Sequence, residues 1–311
     1  MVNTDNCKSK ASIIILVHNA REQIIRSILY ALEKQTYKNF EIIMVDDAAC
    51  KLRERMRIPE AATYICPPES SIPKSRNAGL RAATGHIVIF LDDDCIPIDS
   101  SWLKQHIETH SNSSVGAVAG PLLFDDKNLI TFCDNISFFY DAQPRSETPY
   151  EITQYYTANL SIKKDLITQI GYFDEALLCR EDFDFCRRIG SAGAKIIFNP
   201  AAAVMHKPAR ASLNDYLRHC LERGSGRHLY VKHHPEDAQS LYFRSTPKKK
   251  LLFILFFVFL WLGSSLVILY KNLSLKKTIK YKIKCLACIP LIAAGRWHWL
   301  RGYLHEFGGK K

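Results

Sequence analysis

Several features that would decide the class of this 311-residue chain are missing from it. No secretory signal opens it: residues 1–10 are a polar lead-in, so a cytosolic setting is expected. The ten cysteines (Cys7, Cys50, Cys66, Cys95, Cys133, Cys179, Cys186, Cys220, Cys285 and Cys288) show no disulfide-framework spacing, which predicts reduced thiols. The one C-x-x-C, Cys285 to Cys288, lies in an apolar segment with no second ligand pair nearby, which argues against a zinc or redox site. There is no internal repeat and no low-complexity tract, so solenoids and disordered arrays are set aside. No glycine follows the first predicted strand, where the chain reads His18-Asn19-Ala20-Arg21. A nucleotidyltransferase that cradles a triphosphate would need a glycine-rich, basic loop there. Charge is absent from Leu251 to Tyr270, twenty residues in a row.

That last absence gives the basic balance its meaning. Lys plus Arg is 42 against 31 Asp plus Glu, a net charge of +11. Much of the excess lies in Lys248–Lys250, Lys271, Lys276, Lys277, Lys280, Lys282, Lys284, Lys310 and Lys311, around the uncharged run. A membrane partner, and no nucleic acid, is the reading this favours. Twenty apolar residues suit a membrane-spanning helix. Cys285 to Gly295 is apolar but only eleven residues long, so half of a re-entrant hairpin, an interfacial helix or part of a tilted second span all stay open. Arg296, Trp297, Trp299 and Arg301 suit an interface. Both flanks of the first span are basic, so flanking charge does not choose an orientation; a shallow hairpin would keep every flank cytoplasmic. The expected organisation is a lead-in (1–10), a catalytic domain (11–232), a basic linker (233–250) and a membrane-associated region (251–311).

Residues 11–100 alternate short apolar runs with helical periodicity. Ser12–Val17, Phe40–Val45, Thr63–Cys66 and the run into Asp92 read as strands, and 21–34 and Pro73–Ala83 as helices. This order predicts an α/β fold, a mainly parallel Rossmann-like sheet flanked by helices, with a C-terminal membrane helix or hairpin added. Further on, Val115–Val118, Tyr156–Ile162 and Lys195–Asn199 read as strands, Glu181–Ala192 and 211–232 as helices, and 120–155 as loop.

Two strands end abruptly in acids: Asp46-Asp47, and Asp92-Asp93-Asp94. Ligands of open α/β sheets bind just outside the carboxyl ends of strands. Three neighbouring carboxylates there call for a hard divalent cation, Mg²⁺ or Mn²⁺, working on phosphate oxygens. Asp46 or Asp47 can accept from a base N–H; as a pair they also suit a turn or helix cap. In Arg180-Glu181-Asp182 an acid opens a helix, which suits a dipole partner or a catalytic base equally. His206 ends a run of small residues, where a lone histidine is more often structural.

Together the segments Ser12–Asn19, Phe40–Asp47, Ser75–Leu80, Phe90–Asp94, Thr157–Leu160, Gly171–Glu175, Glu181–Asp184 and Pro200–His206 resemble the family 2 glycosyltransferases of GT-A fold, over roughly seven tenths of the chain. The resemblance implies an inverting, metal-dependent enzyme. It would move a sugar from a nucleotide-diphosphate donor to a hydroxyl of a lipid-linked or surface-glycan acceptor, with the catalytic domain on the cytoplasmic side of the cell's inner membrane. Asp182 would be the catalytic base. Val17, Asn19, Asp46, Asp47, Arg76, Asp92 and Asp93 would contact the donor. Asp94, Asp92 and His206 would hold the metal, and Asn159 and Glu181 would support the acceptor side. A nucleotidyltransferase, or an inactive membrane-tethered nucleotide-sugar-binding module, is the alternative. Leu16 and His18, Ala48-Ala49-Cys50, and the glycine-free Ser70–Pro73 depart from the family pattern around the base and ribose pocket.

Overall fold

The computed structural model describes residues 9–18, 21–47, 51–69, 71–125, 127–235 and 250–308; side chains 250–258, 260 and 305–308 fall outside the description. Asn19 and Ala48–Cys50 thus lie outside the described residues. The chain forms two compact units, one of residues 1–123 and 142–207, the other of 124–141 and 208–311. They interleave along the sequence and do not follow the linear division into 11–232 and 251–311.

The first unit begins as strand β1 (Ala11–Val17), helix α1 (Glu22–Glu33), β2 (Phe40–Asp46), a short α2 (Leu52–Arg55), β3 (Ala62–Ile65), α3 (Ile72–Ala82) and β4 (Ile87–Asp92). These six predicted strands and helices stand within a residue or so of where periodicity puts them. The reason is visible in burial: β1 is buried along its whole length, and α1 buries Ile25, Ile28 and Leu32 on one stripe. Ser71 caps α3 by accepting from the Lys74 amide, and Pro73 fits its first turn.

Beyond β4 come β5 (Cys95–Pro97), α4 (Trp102–Thr109), β6 (Val115–Ala119), β7 (Leu122–Leu123), α5 (Leu129–Phe138), β8 (Tyr150–Ile152), β9 (Asn159–Lys163), α6 (Lys164–Ile170), α7 (Glu181–Ser191), β10 (Lys195–Phe198) and β11 (Val204–His206). Eight strands form one sheet in the order β3-β2-β1-β4-β9-β6-β10-β8, and β5-β11-β7 form a second. In the large sheet β8 and β9 run against the rest. The stretch 120–155, expected as loop, holds α5; it was hidden because Asp134, Asn135 and Ser137 are buried alongside Phe132, Cys133 and Ile136, so its polar residues mark no solvent face and set no period.

Behind β9 lies a buried neutral chain of hydrogen bonds. His110 Nε2 meets Ser161 Oγ (2.9 Å), Ser161 Oγ meets His106 Nδ1 (2.9 Å), and His106 Nε2 meets Asn159 Oδ1 (3.1 Å). Burial pushes the His106 pKa down to about 4 and that of His110 to about 3. Both rings stay neutral in the fold but take up protons when unfolded below about pH 6.5. Stability should therefore fall as pH drops from about 6.5 toward 4, by about 1.4 kcal/mol per pH unit for each ring. Urea unfolding followed through Trp102, whose indole lies 5.1 Å from the His106 ring, should show this slope, and a His106→Asn, His110→Asn variant should flatten it. An unchanged slope in the variant would assign it to other groups.

The second unit holds α5, α8 (Leu213–His233), α9 (Lys250–Ser274), α10 (Ile279–Ala287) and α11 (Ile289–Gly308). Its core gathers Phe132, Cys133, Ile136, Tyr216, Cys220, Ile268, Cys285, Cys288 and Ile292. Helices α8 and α11 touch backbone to backbone. A Cβ on Gly224 would stand 1.8 Å from the Trp299 carbonyl oxygen, and one on Gly302 would stand 2.0 Å from that of Leu221, so only glycine permits the crossing. Asp134 of α5 accepts from His219 Nδ1 of α8 (2.7 Å) and from Arg210 Nε (2.8 Å).

Two expectations change here. Among the described residues no helix is long and apolar enough to cross a membrane. The run 251–270 is helical, within α9, but its described half is tied into the unit: Trp261 Nε1 donates to the Ala293 carbonyl (2.7 Å), Ile268 is buried, and Asn272 Nδ2 donates to the Ile136 carbonyl (3.0 Å). Within the apolar segment 285–295 α10 ends and α11 begins, the two meeting at Cys288, and neither is long and apolar enough to be a second span. The thiols also depart from expectation at one place. Cys66 is disulfide-bonded, whereas the seven other described cysteines are free.

Candidate active site

Register, not proximity in sequence, brings the acids to one edge. Strands β1, β2 and β4 are parallel, with Val17 opposite Asp46 and Leu16 opposite Asp92. All three therefore release their chains at the same side of the sheet. Val17 contributes backbone: its carbonyl accepts from the Asp47 amide (3.0 Å). His18 follows, and its amide donates to Asp93 Oδ2 (3.0 Å) while its Nδ1 donates to Asp47 Oδ1 (2.8 Å). The hydrogen bond to Asp47 raises the His18 pKa against the opposing effect of burial, with the charges of Asp47 and Asp93 adding to it. Asp47 Oδ2 is buried and has no hydrogen-bond partner among the described residues, an acceptor available to a ligand donor. Asp46 turns differently: its Oδ2 accepts from the Leu52 amide (2.9 Å) and from the Tyr64 hydroxyl, so it braces the turn into α2.

Arg76 of α3 is the hub that joins this edge to α7. Buried, it donates from Nη1 to Glu181 Oε1 and from Nη2 to Asp92 Oδ1 (3.4 Å). Burial opposes its charge, but the carboxylates of Glu181, Asp92 and Asp182 outweigh that and raise its pKa. Asp92 is raised too, by burial first and by Asp94, with Arg76 and His206 opposing. Asp182 stands in the first turn of α7, its Oδ1 accepting from the Phe183 amide (2.9 Å). Its partner in that turn, Asp184, binds Arg187 (2.9 Å) and Arg188 (2.8 Å).

Packing explains how residues a hundred positions apart meet. Phe90, just before the acids of β4, Phe173 from the loop after α6, and Phe185 of α7 form one aromatic group, with Phe173 stacked on Phe185 at 4.2 Å and edge-on to Phe90 at 5.3 Å. Asn77, next to Arg76, clamps Phe173 from both sides: it donates to the Phe173 carbonyl (3.0 Å) and accepts from its amide (2.9 Å). Arg180 enters α7 in the left-handed conformation, φ 66°, at a cost of about 1–2 kcal/mol for a residue with a Cβ. That turn places Glu181 and Asp182 as the first helical residues.

The second sheet supplies the remaining ligand set. Antiparallel β5 and β11 pair Cys95 with His206. His206 Nε2 comes within 3.5 Å of Asp94 Oδ2, and the Cys95 thiol donates to Asp94 Oδ1 (3.4 Å). Asp94, Cys95 and His206 are a metal-competent group among the described residues. Burial and the charges of Asp94 and Asp92 push the Cys95 thiol well above its ordinary value, so the donors on offer are a carboxylate and an imidazole. That set fits Mg²⁺ or Mn²⁺, and Asp92, close enough for the charges of Asp94 and His206 to act on it, is a further carboxylate.

Asn159 is placed elsewhere than at an acceptor. Its Oδ1 accepts from Trp102 Nε1 (3.1 Å) and His106 Nε2 (3.1 Å), and its Nδ2 donates to the Ala202 and Pro121 carbonyls (2.8 and 3.4 Å). Every bond it can make is internal, so it is scaffold. Sequence reasoning passed over His18, Asn77, Tyr64 and Cys95 as site neighbours. His18 alone carried a signal, as a departure from the family pattern beside the acids. A surface cavity of about 640 Å³ between α1 and β5, lined by Arg26, Tyr30, Lys34 and Ile98 among others, includes none of the site residues.

Comparison with known proteins agrees with this geometry. The chain is 28% identical over 207 residues to the glycosyltransferase AglE of Haloferax volcanii, covering 64% of this chain and 67% of that one. It is 30% identical over 211 residues to the pre-mycofactocin glycosyltransferase of Mycobacterium tuberculosis, covering 65% of this chain but 44% of the relative. The fold is similar to that of a mannosyltransferase from Pyrobaculum calidifontis in complex with GDP-Man and Mn²⁺, with a TM-score of 0.62 at 16% identity over 98% of this chain and 88% of the other. The mixed sheet flanked by helices is consistent with a GT-A architecture. The profile of Glycosyl transferase family 2 matches residues 12–180, more than half of the chain, and the chain belongs to that family of glycosyltransferases.

Proposed function

We propose that this glycosyltransferase moves a sugar from a nucleoside-diphosphate donor to an acceptor hydroxyl by direct displacement, with inversion at the anomeric carbon. The observation that carries the reading is the buried Arg76 bridge, which ties Asp92 at the end of β4 to Glu181 and so sets the neighbouring Asp182 of α7 at the acidic edge. Asp47 accepts from the nucleobase through Oδ2, which has no partner among the described residues, and Val17 and His18 shape that pocket with it. Asp92 and Asp93 face the ribose side, with Arg76 fixing Asp92. Asp94 and His206 would hold a divalent cation, which when bound neutralises charge on the departing diphosphate. Asp182 takes the proton of the acceptor hydroxyl. Glu181, held by Arg76, positions the helix turn that presents it. With one base and no covalent intermediate required, the cysteines have no part in the chemistry.

The acceptor in this reading is a lipid-linked saccharide or a growing surface glycan, and the enzyme works at the cytoplasmic face of a membrane. The support is the uncharged run 251–270 among flanking lysines. The test is a panel of nucleotide sugars offered to purified protein with Mn²⁺ or Mg²⁺, reading nucleoside diphosphate release. One donor should be hydrolysed slowly without an acceptor. Release of pyrophosphate from nucleoside triphosphates instead would replace the reading with a nucleotidyltransferase.

A further inference from the structure

Helix α10 turns apolar residues in two directions. One face packs into the second unit's core through Cys285, Cys288 just beyond its end and Tyr281. The opposite face should be polar if it met water. Instead Ile279, Ile283 and Leu286 are 78, 60 and 48% exposed, and Ile289, the first residue of α11, is 46% exposed. At 3.6 residues per turn the three α10 positions, Ile279, Ile283 and Leu286, form one stripe, with Lys280 on one side and Lys282 on the other. A second stripe, Phe259, Leu262, Leu266 and Tyr270, is exposed on α9, and Trp297 is exposed on α11. From Lys250 to Leu304 the sequence has no Asp or Glu, yet carries Lys250, Lys271, Lys276, Lys277, Lys280, Lys282, Lys284, Arg296 and Arg301.

We propose that α10 docks the second unit onto an anionic lipid bilayer, lying in the plane of the interface. The stripe enters the boundary of the acyl chains, and the lysines on either side extend their stems along it to reach headgroup phosphates. The charge pattern chooses this occupant: an apolar stripe edged by cations on both sides, in a segment without acids, complements a surface that is apolar below and uniformly negative above. A soluble partner of mixed charge would leave lysines without counter-charge. The proposal deepens the membrane-bound acceptor of the proposed function and rests on it, because it says which surface brings the enzyme to such an acceptor. It requires no helix to span the bilayer.

The test uses the full chain with Ile283→Cys, and separately with Tyr30→Cys on the exposed face of α1. Each is exposed to a water-soluble maleimide, and labelling is read peptide by peptide by mass spectrometry. On phosphatidylcholine vesicles containing phosphatidylglycerol, position 283 should label about tenfold or more slowly than without vesicles, while position 30 is unaffected. Pure phosphatidylcholine should protect far less, and added salt should weaken protection on the anionic vesicles. Adding Lys280→Glu and Lys282→Glu should reverse the protection, since each lysine near an anionic surface contributes about fivefold. Equal labelling with and without anionic vesicles would overturn the proposal, and equal protection by both lipids would overturn its anionic part. Protection without lipid, together with a dimer in light scattering that Ile283→Asp dissociates, would assign the stripe to a second copy instead. Nucleoside diphosphate release from the same samples separates the two readings. An active enzyme with an unprotected position 283 loses the docking surface alone, and a protected but inactive one loses the transferase mechanism alone.

Discussion

Asp182→Asn should lower sugar transfer by about 10³-fold while leaving donor affinity within about twofold of wild type. The substitution keeps size and the ability to accept from the Phe183 amide, as Asp182 Oδ1 does now at 2.9 Å, so the turn that opens α7 is preserved. What it removes is the capacity to take a proton. A base that acts on the acceptor has no partner in a binary complex with donor, which is why affinity should hold. Single-turnover transfer and equilibrium donor binding, measured on the same preparation, check both halves. Wild-type-like turnover would remove Asp182 from the role, and a parallel loss of donor affinity would make it a binding residue. The neighbouring Glu181→Gln should behave otherwise, because Glu181 is bound to Arg76: its loss should show in stability before rate.

Arg76→Met should destabilise the first unit by about 3–5 kcal/mol at neutral pH. Arg76 is buried between Glu181 and Asp92, with Asp182 also acting on it. Without the guanidinium, the buried Glu181 and the half-buried Asp92 are left beside further acids with no cation between them. Their sign gives a check. Carboxylates stripped of their cation bind protons more tightly in the fold than when unfolded, so the deficit should shrink as pH falls. Urea unfolding of wild type and variant at pH 7 and at pH 5 reads this directly. Arg76→Lys should recover only part of the loss, since a single ammonium cannot form the planar fork that reaches both carboxylates. A deficit that is the same at both pH values would mean lost packing over Phe173, 5.7 Å from the guanidinium, rather than lost charge. A double substitution, Arg76→Met with Glu181→Gln, should be more stable than the single one.

The parts of the site that could be read in the sequence are those where one physical cause dominates. A buried parallel strand is apolar along its length, so its end is marked wherever acids begin, as at Val45-Asp46 and Leu91-Asp92. The α1 stripe and the Ser71 cap of α3 are local in the same sense. What could not be read depends on partners distant in sequence. Nothing local says that Arg76 binds Glu181, 105 residues away, or that Asn77 clamps Phe173. Asn159 shows the reverse case: its motif suggested the acceptor side, but Trp102, His106, Pro121 and Ala202 consume all its hydrogen bonds. Helix α5 was obscured because its polar residues Asp134, Asn135 and Ser137 are buried with its apolar ones and mark no solvent face. The long uncharged run suggested a span, yet the described half of α9 turns Ile268 and Asn272 into the unit's own core. The interleaving of residues 124–141 with 208–311 in one unit is a tertiary fact that no window along the chain can report.

Donor binding that depends on a divalent cation held by Asp94 is the centre of the account, and calorimetric titration of a nucleoside diphosphate measures it most directly. Wild type should bind in Mn²⁺ or Mg²⁺ and lose at least about 100-fold in affinity on chelation, with Asp94→Asn binding weakly whether or not the ion is present. Tight binding by wild type that survives chelation, or an Asp94→Asn variant that keeps full metal-dependent affinity, would contradict it.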